Sequence, residues 1–242
     1  MFYLPEGFTM TFKLNRNQLK YLVIVAMLID HIAWAFVPTV SVLGFVMHFI
    51  GRLTGPTMAF FLVEGFEHTR DRKKYLMRLG IFALISWIPF SLFELGRITY
   101  SFGVIYTLFL GLIALMVEER QDLAPWKKIL LFFILLILSL FGDWGLYDII
   151  WPVLLYRYRD NPKQKWFSFC LVGALYAWMV SYGSKPFYTG LWALGTFMVP
   201  VIISKFYSGQ AGSRHPFHKW FFYVFYPTHL LILYLLKLYF LG

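Results

Sequence analysis

Apolar runs of about 20 residues recur along the whole of this chain, with only short polar stretches between them. A helix needs ~20 residues to cross the hydrocarbon of a bilayer. A soluble core has no use for so many long apolar helices. The composition agrees: 60% of the 242 residues are hydrophobic and 14% are charged, where soluble domains are about a quarter charged. The pattern predicts helices at 19–37, 42–67, 75–93, 102–118, 127–141, 144–157, 166–182, 187–205 and 219–239. The expected fold is therefore all-α, a polytopic transmembrane bundle of about nine spans. The fifth and sixth are short, and Gly142, Asp143, Trp144 and Gly145 lie between them. They read either as a tight hairpin of thin spans or as broken helices buried against protein.

The net charge of +10 does not indicate a nucleic-acid partner, because the basic residues sit between apolar runs, as at the inner leaflet of a membrane. Membrane lipid is the expected surrounding, and the 27 Phe, 16 Tyr and 9 Trp fit lipid-facing packing and interfacial belts. The clusters Lys13–Lys20, Arg70–Arg78, Arg120–Lys128, Arg157–Lys165 and Lys205–Lys219 fall on one side and hold 18 of the 22 Lys and Arg. The other side has Arg97, Lys185 and Lys237, and Arg52 lies within a span. By the positive-inside rule the basic side is cytoplasmic, which predicts N-in, C-out and an odd number of spans.

The first apolar run has no small-residue cleavage site and contains Asp30 and His31, so it reads as a retained span rather than a signal peptide. The single cysteine, Cys170, allows no intrachain disulfide and no cysteine metal site. No metal cofactor is expected. The longest aqueous loop, 207–218, reads as flexible polar filler built on Ser208, Gly209, Gln210, Gly212 and Ser213. No soluble domain fits anywhere, so residues 1–242 form one domain, and any chemistry must occur inside the bundle or at its rims.

Ionisable groups inside spans are costly and need a partner or a purpose. Asp30 and His31 lie about 12 residues from the inner end of the first helix, roughly 18 Å along it and toward the outer face. Successive residues point about 100° apart, so each is expected to face a different group across the bundle. A neutral histidine is cheap to bury and takes a proton near neutral pH, which suits a general base. Interhelical hydrogen bonding without chemistry is the other reading. Arg52 in the second helix sits at a matching depth, and Asp30 is its obvious partner. That pair is either structural or leaves Arg52 to bind an oxygen of a substrate.

Gly51 and Gly55 form a GxxxG, read as close packing. Glu64 and His68 share a face at the cytoplasmic end, followed by Arg70, Lys74 and Arg78. This is either an ordinary basic loop or a rim for a phosphate-rich ligand. His229 lies near the middle of the last span. His48 is placed near the outer end of the second helix, within reach of interfacial water. Asp143 either faces an external substrate or is a solvated turn residue. His215 and His218 read as solvated.

Several blocks resemble the TraX family: Asp30–His31, Gly51–Pro56 (GRLTGP), Phe60–Arg70 (FFLVEGFEHTR), Lys74–Leu79 (KYLMRL), Ile85–Phe90 (ISWIPF) and Phe222–Leu230 (FYVFYPTHL). They lie in order over nearly the full length. The family is named for a conjugation protein that acetylates the N-terminus of pilin, and it is similar to the wider class of transmembrane acyltransferases that use acyl-coenzyme A. The resemblance implies an acetyl-coenzyme A donor entering from the cytoplasm, its phosphates near Arg70, Lys74 and Arg78. It implies His31 either as the base toward an amine or hydroxyl arriving from outside or as the carrier of the acetyl group in a double displacement. Arg52 is then a candidate for the oxyanion and His229 an aid to proton transfer, or a packing residue against the first helix. The acceptor, whether protein, glycan or lipid, stays open. A transporter of a small anionic substrate and a non-enzymatic assembly protein are the competing classes.

Overall fold

Asn15 starts the first helix. Its side chain accepts the Gln18 N–H at 3.0 Å while the Gln18 side chain accepts the Asn15 N–H at 2.9 Å, a reciprocal cap. In a computed structural model that describes residues 13–241, this helix, α1, spans Arg16–Phe36. It is followed by α2 (Val42–Gly51), α3 (Thr54–His68), α4 (Arg72–Leu95), α5 (Val104–Glu119), α6 (Pro125–Ser139), α7 (Tyr147–Arg157) and α8 (Pro162–Gly183). A 3₁₀ segment (Phe187–Phe197) then runs directly into α9 (Met198–Phe206), and α10 (Pro216–Leu241) closes the chain. Apart from two isolated bridges, the regular structure of the described residues is helical.

The packing closes on itself. Going round, α1 packs on α2, α2 on the 3₁₀ segment, that segment on α8, α8 on α7, α7 on α5, α5 on α4, α4 on α10, and α10 back on α1. The α3 helix sits inside, against α1, α5 and α7, and α6 lies outside against α5 and α7. The sequence of α3 explains its place, because TGPTMAFFLVEGF offers small or apolar residues on every side. The outer faces carry the reverse of a soluble pattern. Ile81, Leu84 and Ile88 on α4, Phe133 and Ile137 on α6, Leu171 and Trp178 on α8, and Ile232 and Leu235 on α10 are all exposed. An apolar surface of that extent is stable in lipid and not in water.

Among the described residues, six helical segments are long and apolar enough to cross a membrane: Arg16–Phe36, Val42–His68, Arg72–Leu95, Pro162–Gly183, Phe187–Phe206 and Pro216–Leu241. The chain is an integral, multi-pass membrane protein. Of the nine spans expected from sequence, six reach that length; the other three correspond to α5, α6 and α7, which have 16, 15 and 11 residues. At ~1.5 Å per residue, α7 is about 16 Å long. It is enclosed by α3, α5 and α8, with Trp151 fully buried and Ile149 and Leu155 nearly so.

Two expected helices are interrupted. The span read as 42–67 breaks at Arg52–Leu53, because Pro56 has no N–H to give the Arg52 carbonyl. The span read as 187–205 begins as 3₁₀ rather than α. Its glycines press against neighbouring backbone: a Cβ on Gly190 would lie 2.5 Å from Ser181 Cα, and one on Gly195 would overlap the Phe49 carbonyl. The thinner helix brings both contacts within reach. The span expected from 144 starts at Tyr147, after a turn in which Trp144 takes a φ of 61°.

The loop 207–218 is not loose filler. Leu14 N–H bonds Phe206 O at 2.6 Å, Ser208 N–H bonds Leu14 O at 2.9 Å, and Arg16 N–H bonds Gln210 O at 2.8 Å. The Asn17 amide adds a bond to Ser213 O at 2.7 Å. These contacts join α10's leading loop to the start of α1.

The GxxxG glycines serve two different neighbours. A Cβ on Gly51 would overlap the Asp30 side chain, and one on Gly55 would lie 2.5 Å from the Trp144 ring. We expect Gly51→Ala to displace Asp30 and cost about 1–3 kcal/mol. Thermal unfolding of the detergent-purified protein reads this directly, and an unchanged midpoint would refute it.

Candidate active site

The break between α2 and α3 places Arg52 against α1. One of its terminal nitrogens, Nη2, bonds Asp30 Oδ2, and the other, Nη1, donates to Tyr176 Oη at 2.9 Å. The guanidinium lies between Trp144 and Trp192, 4.8 and 4.6 Å from their ring centroids. Trp144 also stacks on Tyr176 at 5.2 Å and 21°. These contacts hold a bulky residue in the left-handed region, where it is a conformational outlier. The second oxygen of Asp30, Oδ1, accepts from His48 Nδ1 at 2.8 Å. His48 is fully buried rather than placed at interfacial water. Asp30 is thus fully used as the hub of a buried charge network.

His31 turns the other way. Its Nδ1 lies 2.7 Å from His229 Nε2, and His229 Nδ1 lies 2.8 Å from the Phe225 carbonyl oxygen. Directions follow in sequence. A carbonyl only accepts, so His229 carries its proton on Nδ1. Neutral His229 then accepts at Nε2, so His31 donates from Nδ1. Neutral His31 is left with an unprotonated Nε2. Fixing one ring nitrogen by the bond made at the other is how a histidine base is oriented.

One cavity borders this chain of bonds at His31, and a second lies toward the other end of the same helices. The first, of about 460 Å³, is lined by Asp30, His31, Trp34, Arg52, Glu94 and Asp143 among others. Asp143 accepts the Trp144 N–H at 2.9 Å and faces this acidic cavity. The second, of about 380 Å³, is bordered by Arg16, Lys20, Arg78, Arg214 and Lys219, with Phe61, Tyr75, Phe222, Tyr223 and Tyr226. They open toward opposite ends of the bundle. The start of α1 (Arg16, Lys20) and of α4 (Tyr75, Arg78) line the basic one; later turns of the same helices (His31 and Trp34; Phe90 and Glu94) line the acidic one.

The basic cavity holds cations without counter-ions. Lys20 Nζ lies between the Phe61 and Phe222 rings, 5.4 and 5.3 Å from their centroids. Arg78 donates through Nε to Tyr223 Oη at 3.1 Å. Neither forms an ion pair among the described residues. Such groups are ready to take anionic oxygens.

The structure sorts the residues nominated from sequence. Asp30, His31, Arg52 and Asp143 come together at the acidic cavity, with His229 behind His31. His68 and Arg78 line the basic cavity. Glu64 does not; it accepts from Tyr207 Oη at 2.7 Å. Arg70 is exposed and outside the lining, and Lys74 turns to solvent, paired with Asp71 at 3.2 Å. Arg16, Lys20, Arg214 and Lys219 complete the basic ring instead. Sequence reasoning saw them only as topological charges, since they come from opposite ends of the chain. His218, read as solvated, bonds Tyr21 Oη at 2.8 Å and lines the cavity beside His215. Among the described residues, no group of three or more His, Cys, Asp or Glu side chains is arranged to hold a metal ion.

The sequence matches the profile of the TraX protein family over residues 15–237. The chain belongs to the TraX family. It is also 34% identical over 234 residues to the probable fimbrial assembly protein FimC, serogroup H1, of Dichelobacter nodosus, covering 89% of this chain and 93% of that protein. No solved structure matches. TraX membership together with the polytopic fold supports a general acyl-transfer role for this membrane protein.

Proposed function

We propose that this TraX-family protein moves an acetyl group from acetyl-coenzyme A, bound in the basic cavity, to an amine or hydroxyl presented in the acidic cavity. The observation that carries the reading is the His31–His229–Phe225 relay, which leaves an unprotonated imidazole nitrogen on the one relay member that lines the acidic cavity, while a cavity of opposite charge lies toward the other end of the same helices. The donor's phosphates meet Arg16, Lys20, Arg78, Arg214 and Lys219, with His68 at the rim. Its thioester points inward toward Tyr226 and His31. The acceptor enters beside Asp143 and gives its proton to His31 Nε2, and its heteroatom attacks the thioester carbon. The C–S bond breaks and thiolate leaves toward the basic side. Asp30 and Arg52 hold the acidic cavity in shape.

In this reading the basic end faces the cytoplasm, in line with the loop charges. The short helices α5, α6 and α7 complete nine thin crossings, N-in and C-out. Similarity to a protein named for fimbrial assembly favours an exported filament subunit as acceptor, with glycan and lipid hydroxyls as the other classes.

Coenzyme A should raise the melting temperature of the purified protein, and acetyl-coenzyme A should lose its thioester in the presence of an acceptor. Arg78→Glu should weaken donor binding about 10- to 100-fold, the worth of one charge-assisted hydrogen bond. A protein that neither responds to coenzyme A nor cleaves the thioester, but moves a labelled anion into liposomes, would be a transporter and the proposal would be wrong.

A further inference from the structure

A short stretch of chain passes from one cavity to the other. Thr99, Tyr100 and Ser101 line the acidic cavity, and Val104 and Ile105 line the basic one. The Tyr226 hydroxyl docks at the crossing, where it accepts the Val104 N–H at 3.1 Å. Gly103 makes the room, because a Cβ there would overlap that hydroxyl. Val104 is the first residue of α5, so its N–H has no carbonyl within the helix. Tyr226 is 3% exposed and borders the basic cavity. Its ring centroid is 6.4 Å from that of His31. The hydroxyl oxygen is satisfied by the helix terminus, while its own proton finds no acceptor among the described residues. A buried phenol ordinarily finds one.

We infer that Tyr226 is the catalytic hydrogen-bond donor to the thioester oxygen, a role that rests on the acyl-transfer reading above. When the acceptor heteroatom bonds to the thioester carbon, the carbonyl π pair moves onto oxygen. The acceptor's proton passes to His31 Nε2. The Tyr226 O–H bonds the new oxyanion without giving up its proton. As the C=O re-forms, the C–S bond breaks and thiolate departs. The N–H at the start of α5 polarises the phenol toward donation, as in other chains of hydrogen bonds. Arg52 is poorly suited to this task. Its terminal nitrogens hold Asp30 and Tyr176, and it borders the acidic cavity, whereas the thioester arrives through the basic one.

The test uses full-length protein in detergent with acetyl-coenzyme A. Tyr226→Phe should lower kcat about 10²- to 10³-fold, the loss seen when one oxyanion donor is removed, with donor KM and heat protection by coenzyme A unchanged. A fluorinated tyrosine at position 226 keeps the Val104 contact and makes the phenol more acidic. It should move the alkaline limb of the kcat–pH profile to lower pH, which a purely structural tyrosine would not do. Should the Phe variant fail to fold, this second variant decides. Unchanged kcat in a folded Tyr226→Phe, or an unmoved profile with the fluorinated residue, overturns the assignment while thioester cleavage by the wild type stands. A wild-type protein with no response to coenzyme A and no thioester cleavage overturns the acyl-transfer reading, and the assignment falls with it.

Discussion

His31→Ala is expected to lower acyl-transfer turnover about 10²- to 10⁴-fold, the usual worth of a positioned general base. His31 is the one relay member that lines the acidic cavity, and in the proposed reaction its unprotonated Nε2 takes the acceptor's proton. Its removal takes away the base and leaves His229 bonded to Phe225 O one step behind the wall. The basic cavity has no lining from His31, so coenzyme A should protect the variant from heat as it protects the wild type. That pairing of results separates a chemical defect from a folding defect. Normal turnover in the folded variant would remove His31 from the mechanism. The same variant also divides the competing classes, because an assembly protein without enzymatic activity would keep its cellular role after losing this imidazole.

The second large effect is on stability. Asp30→Ala should cost about 3–5 kcal/mol, as breaking a buried ion pair from one side does. The cause is what remains: Arg52, 7% exposed, would keep its charge between two indole rings with only Tyr176 to bond, and His48 would lose its carboxylate. Against total stabilities of about 5–15 kcal/mol, that is enough to empty the folded state of a marginal protein. A charge-neutral double variant, Asp30→Ala with Arg52→Met, should recover part of the loss, since the stranded charge is gone. Thermal melts of the three variants form the cycle. A single variant as stable as wild type, or a double variant no better than the single, would show that the pair does not hold the site together.

Some of this site was legible along the chain because depth in a membrane can be counted. Asp30 and Arg52 sit at matching heights on neighbouring helices, and the expense of an unpaired charge in hydrocarbon joins them. The opposed directions of Asp30 and His31 follow from the helical repeat. The basic ring was only half legible. Arg78 lies furthest into its helix and lines the cavity, while Arg70 and Lys74 are its neighbours only in sequence and lie outside the lining. Arg16, Lys20, Arg214 and Lys219 meet at one cavity because the 207–215 loop is bonded to the start of α1, and no local pattern announces that.

The sequence by itself determined that this is an all-helical membrane protein, where its apolar segments lie, and which few polar groups had to find partners inside it. Those properties follow from hydropathy and from the cost of buried charge, both read residue by residue. Only the tertiary structure decided that His31 meets His229, 198 residues away, that a carbonyl on α10 sets which imidazole nitrogen is bare, and that the Tyr226 hydroxyl docks on the start of α5 beside the basic cavity. Hydrogen bonds act over about 3 Å and depend on direction. Which distant groups come that close is settled by how the ring of helices closes.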